Sequence, residues 1–527
     1  MLAPFSLRED YWETFTLEDS DVEFIYNHLL EIETPLSPEA IIKVLVEDRL
    51  RREKQAVERQ RSAGGEVYLP KDHHDVGEKL VFPARSWQTG EVTAVRPART
   101  YAEDKFSVIE VEFEGGTKQE FASDLQDHAL NIPPEVDEND PLQSSQAVLE
   151  NYSEMLEERL IEGLQDNDDF VYIAGRWFPK ALLVDVNVGN LNLAEAVLDI
   201  EGGGPLPTAE LMEQVEMPEG VNPKLAEFSL DRALQEDPRF DEVGSAGEVS
   251  WFLQRLEPEE VRSTPIFLRY HEIDYDRDLL TEEMLALERS LDDELSPIQG
   301  EVKPKDEIQV SLIYPHWRAG TLPLTPSMSE LFPTAYESPR IRCILIDADT
   351  GEKFPGWVVR LEKYVYGLRE WYLERGVMPG SYIKVRRGEN PGEMIVKVES
   401  HRSAKEWVRT ALIGADGGVV YAMLKQPVST SFDDRMMIAM PAEVEPLDMT
   451  WEKRQKSRPP FEQIVVDTLR ELAKLNPQSH VHITELYSAT NVVLRCPPGP
   501  ILTLLASRPW FVHVGDFHFR FDDSAKE

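Results

Sequence analysis

Cysteine is almost missing from this chain: Cys343 and Cys496 are the only two in 527 residues, and neither belongs to a CxxC pair. That excludes a disulfide framework and a zinc finger, and it points to a reducing compartment, the cytoplasm. Long apolar runs are missing too. No stretch nears the ~18 apolar residues that a spanning helix needs, and the opening MLAPFSLREDYWETF has no basic segment ahead of an apolar one. No membrane partner is expected. Positive charge is scarce: 55 Lys and Arg face 97 Asp and Glu, a formal charge of -42. Such a surface repels phosphate and removes the electrostatic term that dominates non-specific DNA binding, so any DNA contact needs a locally basic face. No Walker A loop, GxGxxG, GxSxG, HExxH or EF-hand loop occurs. Neither catalytic residues, a cofactor nor a metal site is expected.

What the chain does have is enough apolar material for several cores: 41% hydrophobic and 9% aromatic residues over a length that suggests about three to five domains. Proline and acidic runs mark linkers at 133–146, 291–307 and 441–460.

One pattern recurs. Val22, Ile25, Tyr26, Leu29 and Leu30 form a helical stripe, and the turn TPLSPEA then supplies Ser37 as N-cap, Pro38 at the first helical position and Glu39 in the first turn. A second helix with Ile41, Ile42, Val44 and Leu45 follows. The basic stretch RLRREKQAVERQR reads as a third helix, and GGEVYLP and EKLVFP as two closing strands. Between 191 and 256 the order returns, with Thr208 in the place of Ser37 and an aromatic hairpin built on Phe240, Val243 and Trp251 to Leu253. It returns at the C-terminus, from the stripe Phe461, Ile464, Val465, Thr468, Leu469, Leu472 to the hairpin WFVHVGDFHFRF. A partial copy, one helix and a wing, lies in 149–186.

On the strings TPLSPEAI at 34–41, GPLPTAEL at 204–211 and DPRFDEVG at 237–244, the chain resembles the winged-helix superfamily, in particular the HARE-HTH type at the N-terminus of the RNA polymerase delta subunit. The resemblance covers about a third of the chain. It implies modules that bind DNA or polymerase and carry no chemistry of their own.

The intervening segments alternate apolar and polar residues around Gly turns, as β-strands do. The expected fold is therefore α+β and multidomain: three or more winged-helix modules interleaved with a small SH3-like or Tudor-like β-barrel and a larger β-rich domain. The expected divisions are 1–75 winged-helix-like, 76–132 barrel, 133–148 acidic linker and 149–186 helix plus wing-like hairpin. They continue with 187–258 HARE-HTH-like, 259–306 acidic helical segment and linker, 307–440 β-rich, 441–460 linker and 461–527 winged-helix-like.

Three strings invite a chemical reading and have a plainer one. The Gly202 to Gly204 run sits ahead of a helix cap and reads as a turn. Asp72, His73, His74 and Asp75 are metal-ligand types, but adjacent side chains do not converge on one ion, so a solvated loop is expected. Asp347, Asp349 and Glu352 with Lys353 suit either a nuclease carboxylate cluster or a hairpin turn, and the turn is the expectation.

The most basic segment is 339–409, with 14 Lys and Arg against 10 Asp and Glu. Trp357, Tyr364, Tyr366, Trp371, Tyr372, Tyr382 and Trp407 interleave with them, a combination that either holds nucleic acid by charge and stacking or is barrel core with a solvated rim. The candidate nucleic-acid contacts are Arg49, Arg51, Arg52, Lys54 and Arg59 on the basic helix, then Arg360, Lys363, Lys384, Arg386, Arg387, Arg402 and Arg409. Two functions follow as expectations: a non-catalytic DNA-binding or transcription-associated protein, or an acidic scaffold that docks on RNA polymerase or another DNA-processing machine without touching DNA.

Overall fold

The computed structural model describes residues 10–525, apart from 64–65, 83–87, 99–105, 114–115, 127, 129–130, 132–140, 219, 246, 298–304, 335–337, 416 and 442–443; for 56–63 it describes the backbone alone. Helices and several sheets alternate along the chain, which divides into two compact units, Met1–Asp185 with Glu219–Ser229 and Val186–Pro218 with Leu230–Glu527. Among the described residues no helix is long and apolar enough to cross a membrane.

In the first unit the helix Asp19–Ile32 leads through a turn into the helix Pro38–Ala63. Ser37 accepts from the Ala40 N–H at 3.3 Å, as an N-cap should. The basic stretch is no separate helix. It continues the second helix without a break, because nothing between Leu45 and Ala63 interrupts helical geometry. The strands Glu66–Val67 and Lys79–Phe82 do not close over these helices either; they begin a five-stranded sheet with Gln88–Pro97, Ser107–Phe113 and Lys118–Ser123, paired in chain order around Tyr68, Leu80, Phe82, Ile109 and Val111.

The hairpin that does close over the helices is Phe170–Ile173 with Arg176–Pro179, and Leu36 bridges to Trp177 in its second strand. The helix Ser145–Gln165 packs Leu156, Leu160 and Leu164 into the same core as Ile25, Leu29, Ile41 and Leu45. Segments 1–75 and 149–186, expected to be separate, are thus halves of one body with the five-stranded sheet inserted between them. Part of the expected linker is helix, since Ser145–Gln165 starts inside 133–148.

In the second unit the order helix, short strand, helix, helix, hairpin occurs twice. The first occurrence is Val188–Ile200, Leu206–Pro207, Thr208–Met212, Pro223–Glu236 and the hairpin Phe240–Glu242 with Ser250–Leu253; Leu206 pairs with Trp251. Leu230 and Leu234 lie in this core with Trp251, whereas Leu225 and Phe228 of the same helix belong to the first unit's core. Gly202 to Gly204 form the turn, all at positive φ, and a Cβ on Gly203 would stand 2.9 Å from the Phe252 ring. The other occurrence is Phe461–Ala473, Val481–His482, Ile483–Thr490, Pro498–Ser507 and the hairpin Phe511–Gly515 with His518–Phe521; Val481 pairs with Phe519.

Between them lies a seven-stranded sheet in the order Glu307–Ser311, Tyr382–Arg387, Glu393–Val398, Arg340–Asp347, Lys353–Val359, Tyr364–Tyr366, Thr321–Pro323. It is antiparallel except where Arg340–Asp347 meets Glu393–Val398. A two-stranded ribbon, Ser400–Ile413 with Val419–Thr430, follows.

The boundaries expected at 441 and 461 do not separate cores. Tyr314, Ala411, Tyr421 and Ile438 share one apolar core with Val465, Leu469, Leu486 and Phe511. The expected linker 441–460 contains the helix Glu445–Ser457, whose Leu447 and Trp451 are buried in that core, with the Trp451 N–H donated to the Ile266 carbonyl at 3.2 Å.

Candidate nucleic-acid interface

A phosphate-binding surface needs cations with free donors. The helix Pro38–Ala63 aims Arg49 inward: its guanidinium donates to the buried Asp21 carboxylate and to the Thr16 carbonyl at 2.7 Å, and lies 4.4 Å over the Phe15 ring. Arg52 pairs with Asp21 as well and with Asp48 at 2.7 Å, and Arg51 pairs with Asp48. Burial raises the Asp21 pKa, but the bonds from Arg49, Arg52 and the Glu18 N–H outweigh it and hold the carboxyl below its ordinary value. Lys54 is exposed, and the Arg59 side chain lies outside the described residues.

The later candidates divide the same way. Arg360 donates to the carbonyls of Ser329, Phe332 and Pro333, and Lys363 to that of Glu294 at 2.9 Å. Lys384 pairs with Glu399. Arg409 is buried between the Arg435 and Met437 carbonyls and the Glu485 carboxylate, 3.0 Å away. Cations committed in this way hold the fold together, so Arg49, Arg360 and Arg409 are corrected from surface contacts to internal ties. Arg387 donates to the carbonyls of Glu330 and Leu331, which fixes it at the rim of a recess of about 300 Å³ lined also by Lys305, Ser327 and Arg386. Arg386 and Arg402 are exposed at the surface. The twelve residues fall in both units.

The third helix of each repeated body is the other test, because a helix that enters a DNA groove must present cations to phosphate. Ser145–Gln165 carries Glu150, Glu154, Glu157, Glu158 and Glu162 against a single Arg159, whose guanidinium is bonded to the Glu13 and Phe15 carbonyls at 2.8 and 2.7 Å. Pro223–Glu236 offers Lys224 and Arg232, the latter paired with Glu236. Pro498–Ser507 has no charged residue, and Pro498 to Leu505 are all buried.

Sequence reasoning missed the acidic groove that these positions create in the first unit. Ser37, Glu39, Lys43 and Glu47 from one helix face Gln146, Leu149, Glu150, Ser153 and Glu157 from another across a cavity of about 890 Å³. Burial first, then repulsion from Glu39 and Glu154, raises the Glu157 pKa. The signal was present as acids two helical turns apart, Glu39 with Glu47 and Glu150 with Glu157, but only the packing of the two helices puts them on facing walls.

The strings with a chemical reading resolve into structure. Asp347 closes the hairpin between Arg340–Asp347 and Lys353–Val359, accepting from the N–H groups of Asp349 and Thr350 at 2.8 and 2.9 Å and pairing with Arg375 at 2.6 Å. Lys353 turns away to Glu393, also at 2.6 Å. His73 bonds to Asp124 at 3.1 Å, whereas His74 is buried. Among the described residues no group of three or more His, Cys, Asp and Glu could hold a metal ion.

Set against family models, curated proteins and solved structures, the chain matches none.

Proposed function

We propose that this chain is a non-catalytic, cytoplasmic scaffold of three winged-helix modules of the HARE-HTH type, one of them interrupted by an SH3-like barrel. In this reading it docks on RNA polymerase or another DNA-processing machine without reading duplex DNA. The module assignment rests on the recurring order of helix, strand, helix, helix, hairpin, with the short strand paired to the last one.

The observation that carries the function is the character of the third helices, the elements that read DNA in this architecture. One is acidic, one is buried, and Pro223–Glu236 offers Lys224 alone, because its Arg232 is paired with Glu236. The acidic groove beside the first of them suits a basic protein surface instead.

The tagged chain is used to capture partners from a native extract and is titrated separately with mixed-sequence duplex at about 50 mM salt. Polymerase or DNA-processing subunits are expected to be enriched, and the double variant Glu150→Lys, Glu157→Lys to lose them. Enrichment of none of these subunits overturns the proposal. So does duplex binding at that salt, because it restores direct DNA recognition.

A further inference from the structure

Of the aromatic side chains that interleave with the basic residues between 339 and 409, Trp357, Tyr364, Trp371 and Tyr372 are buried. They are core and offer no platform. Trp407 is different: 63% of it is exposed. It stands on the ribbon directly opposite Lys425, whose Nζ lies 5.5 Å from the indole centroid. The flanking pairs on the same face are Lys405 with Pro427 and Arg409 with Met423, the last 42% exposed.

The opposite face is already used, since Val408 and Val428 are buried with Met437 and Ala439. Paired residues share a face and alternate positions return to it, so the outward face combines Lys405, Trp407, Lys425, Met423 and Pro427. Around Trp407 the ribbon places no carboxylate on that face; from Arg409, which pairs with Glu485, onward the same face turns into the core at Ala411 and Tyr421. Arg402 and Lys405 are exposed, and among the described residues neither side chain makes an ion pair or hydrogen bond. In a chain of charge -42 this is a locally positive surface around a solvent-facing indole.

A cross-strand Lys–Trp pair by itself steadies a ribbon slightly. It does not call for a second lysine beside the indole or for the absence of ribbon carboxylates around it. Cations flanking an aromatic plane are what an unpaired strand of nucleic acid uses, phosphates on the charges and a base on the ring.

We propose that this face of the ribbon binds single-stranded DNA, with Trp407 stacked on a base and Lys405 and Lys425 on the adjoining phosphates. Duplex is excluded as the occupant because its bases are stacked on one another and leave no ring for a single indole to cover. DNA is preferred to RNA because Lys405, Trp407, Met423, Lys425 and Pro427 include no side-chain oxygen to accept the proton of a 2′-hydroxyl. The site is independent of the scaffold reading, since it uses neither the third helices nor the acidic groove.

The test is fluorescence anisotropy with labelled oligothymidine, a matched duplex and oligouridine at about 50 mM salt. Oligothymidine is expected to bind and duplex not. Trp407→Ala should weaken binding about tenfold, and Lys405→Glu with Lys425→Glu should flatten the salt slope by about two units. All three positions are exposed, and circular dichroism checks that the variants fold. No binding of oligothymidine overturns the proposal, as does full retention of affinity in Trp407→Ala. Competition by polyglutamate as effective as that by unlabelled oligothymidine, or tighter binding of oligouridine, has the same force. Capture of polymerase subunits by the same variants should be unchanged, so failure here and failure of the scaffold reading are told apart.

Discussion

Arg495 and Asp293, 202 positions apart, form an ion pair at 2.7 Å in which neither side chain has any exposure to solvent. The same guanidinium donates to Glu294 at 2.6 Å, the His316 ring lies 3.0 Å from that carboxylate, and Tyr487 donates to Asp293. These carboxylates come from a segment expected to be an acidic linker. Burial raises the pKa of both, but Arg495 and His316 bring Glu294 well below its ordinary value, while Asp293 stays above its own.

Removing one partner of a buried pair leaves the others charged and unsolvated. Arg495→Met should therefore cost about 3–5 kcal/mol. The midpoint of urea unfolding, followed by intrinsic fluorescence, checks this; a loss below about 1 kcal/mol is the median of exposed pairs and would contradict the burial.

Arg340 bridges two further carboxyls, Asp241 at 2.9 Å and Glu257 at 3.2 Å. Burial first, then Asp241, pushes the Glu257 pKa up to about 8. A carboxyl that holds its proton longer in the folded chain than in the unfolded one lowers stability as pH rises from the ordinary carboxylate range toward that value. Stability should fall over that window in the native chain, and Glu257→Gln should remove much of the fall. Urea titrations at about pH 6 and pH 9 decide it: equal slopes with pH in the two proteins contradict the assignment.

Asp231 accepts from the Trp251 N–H at 3.0 Å and from the Thr208 hydroxyl, all three buried. Asp231→Ala leaves the buried Thr208 hydroxyl without its acceptor and the Trp251 N–H with Thr208 alone, and should cost about 2 kcal/mol by thermal or urea unfolding. An unchanged midpoint would contradict this, because the 3.0 Å bond from the Trp251 N–H to Thr208 satisfies the indole alone and leaves the Thr208 proton without an acceptor.

In the five-stranded sheet, a Cβ on Gly90 would stand 2.4 Å from Cγ1 of Val111. Gly90→Ala should destabilise by about 1–3 kcal/mol through overpacking, and adding Val111→Ala should recover part of that loss. Simple additivity of the two substitutions in a double-mutant cycle would exclude the clash as the cause.

Local order was legible from local residues. The cap at Ser37, the apolar stripe of Phe461 to Leu472, the turn of Gly202 to Gly204 and the hairpin closed by Asp347 all depend on neighbours a few positions away, within reach of a periodicity or a turn preference. The repeating order of helices and hairpins was visible for the same reason.

What tertiary structure alone decided was which pieces belong together and which charges are free. Leu36 finds its strand partner at Trp177, across an inserted sheet, because a bridge is chosen by the core it closes and not by distance along the chain. The acidic, proline-marked segment around Asp293 and Glu294 reads as solvent-facing until Arg495 appears beside it, since charge in a sequence carries no label of burial. The basic residues show the converse. Arg49, Arg360 and Arg409 look like the surface cations of Lys54 and Arg402, yet their donors are taken up by Asp21, by backbone carbonyls and by Glu485. A guanidinium satisfies whichever acceptors the fold brings within 3 Å, and only the fold says which those are.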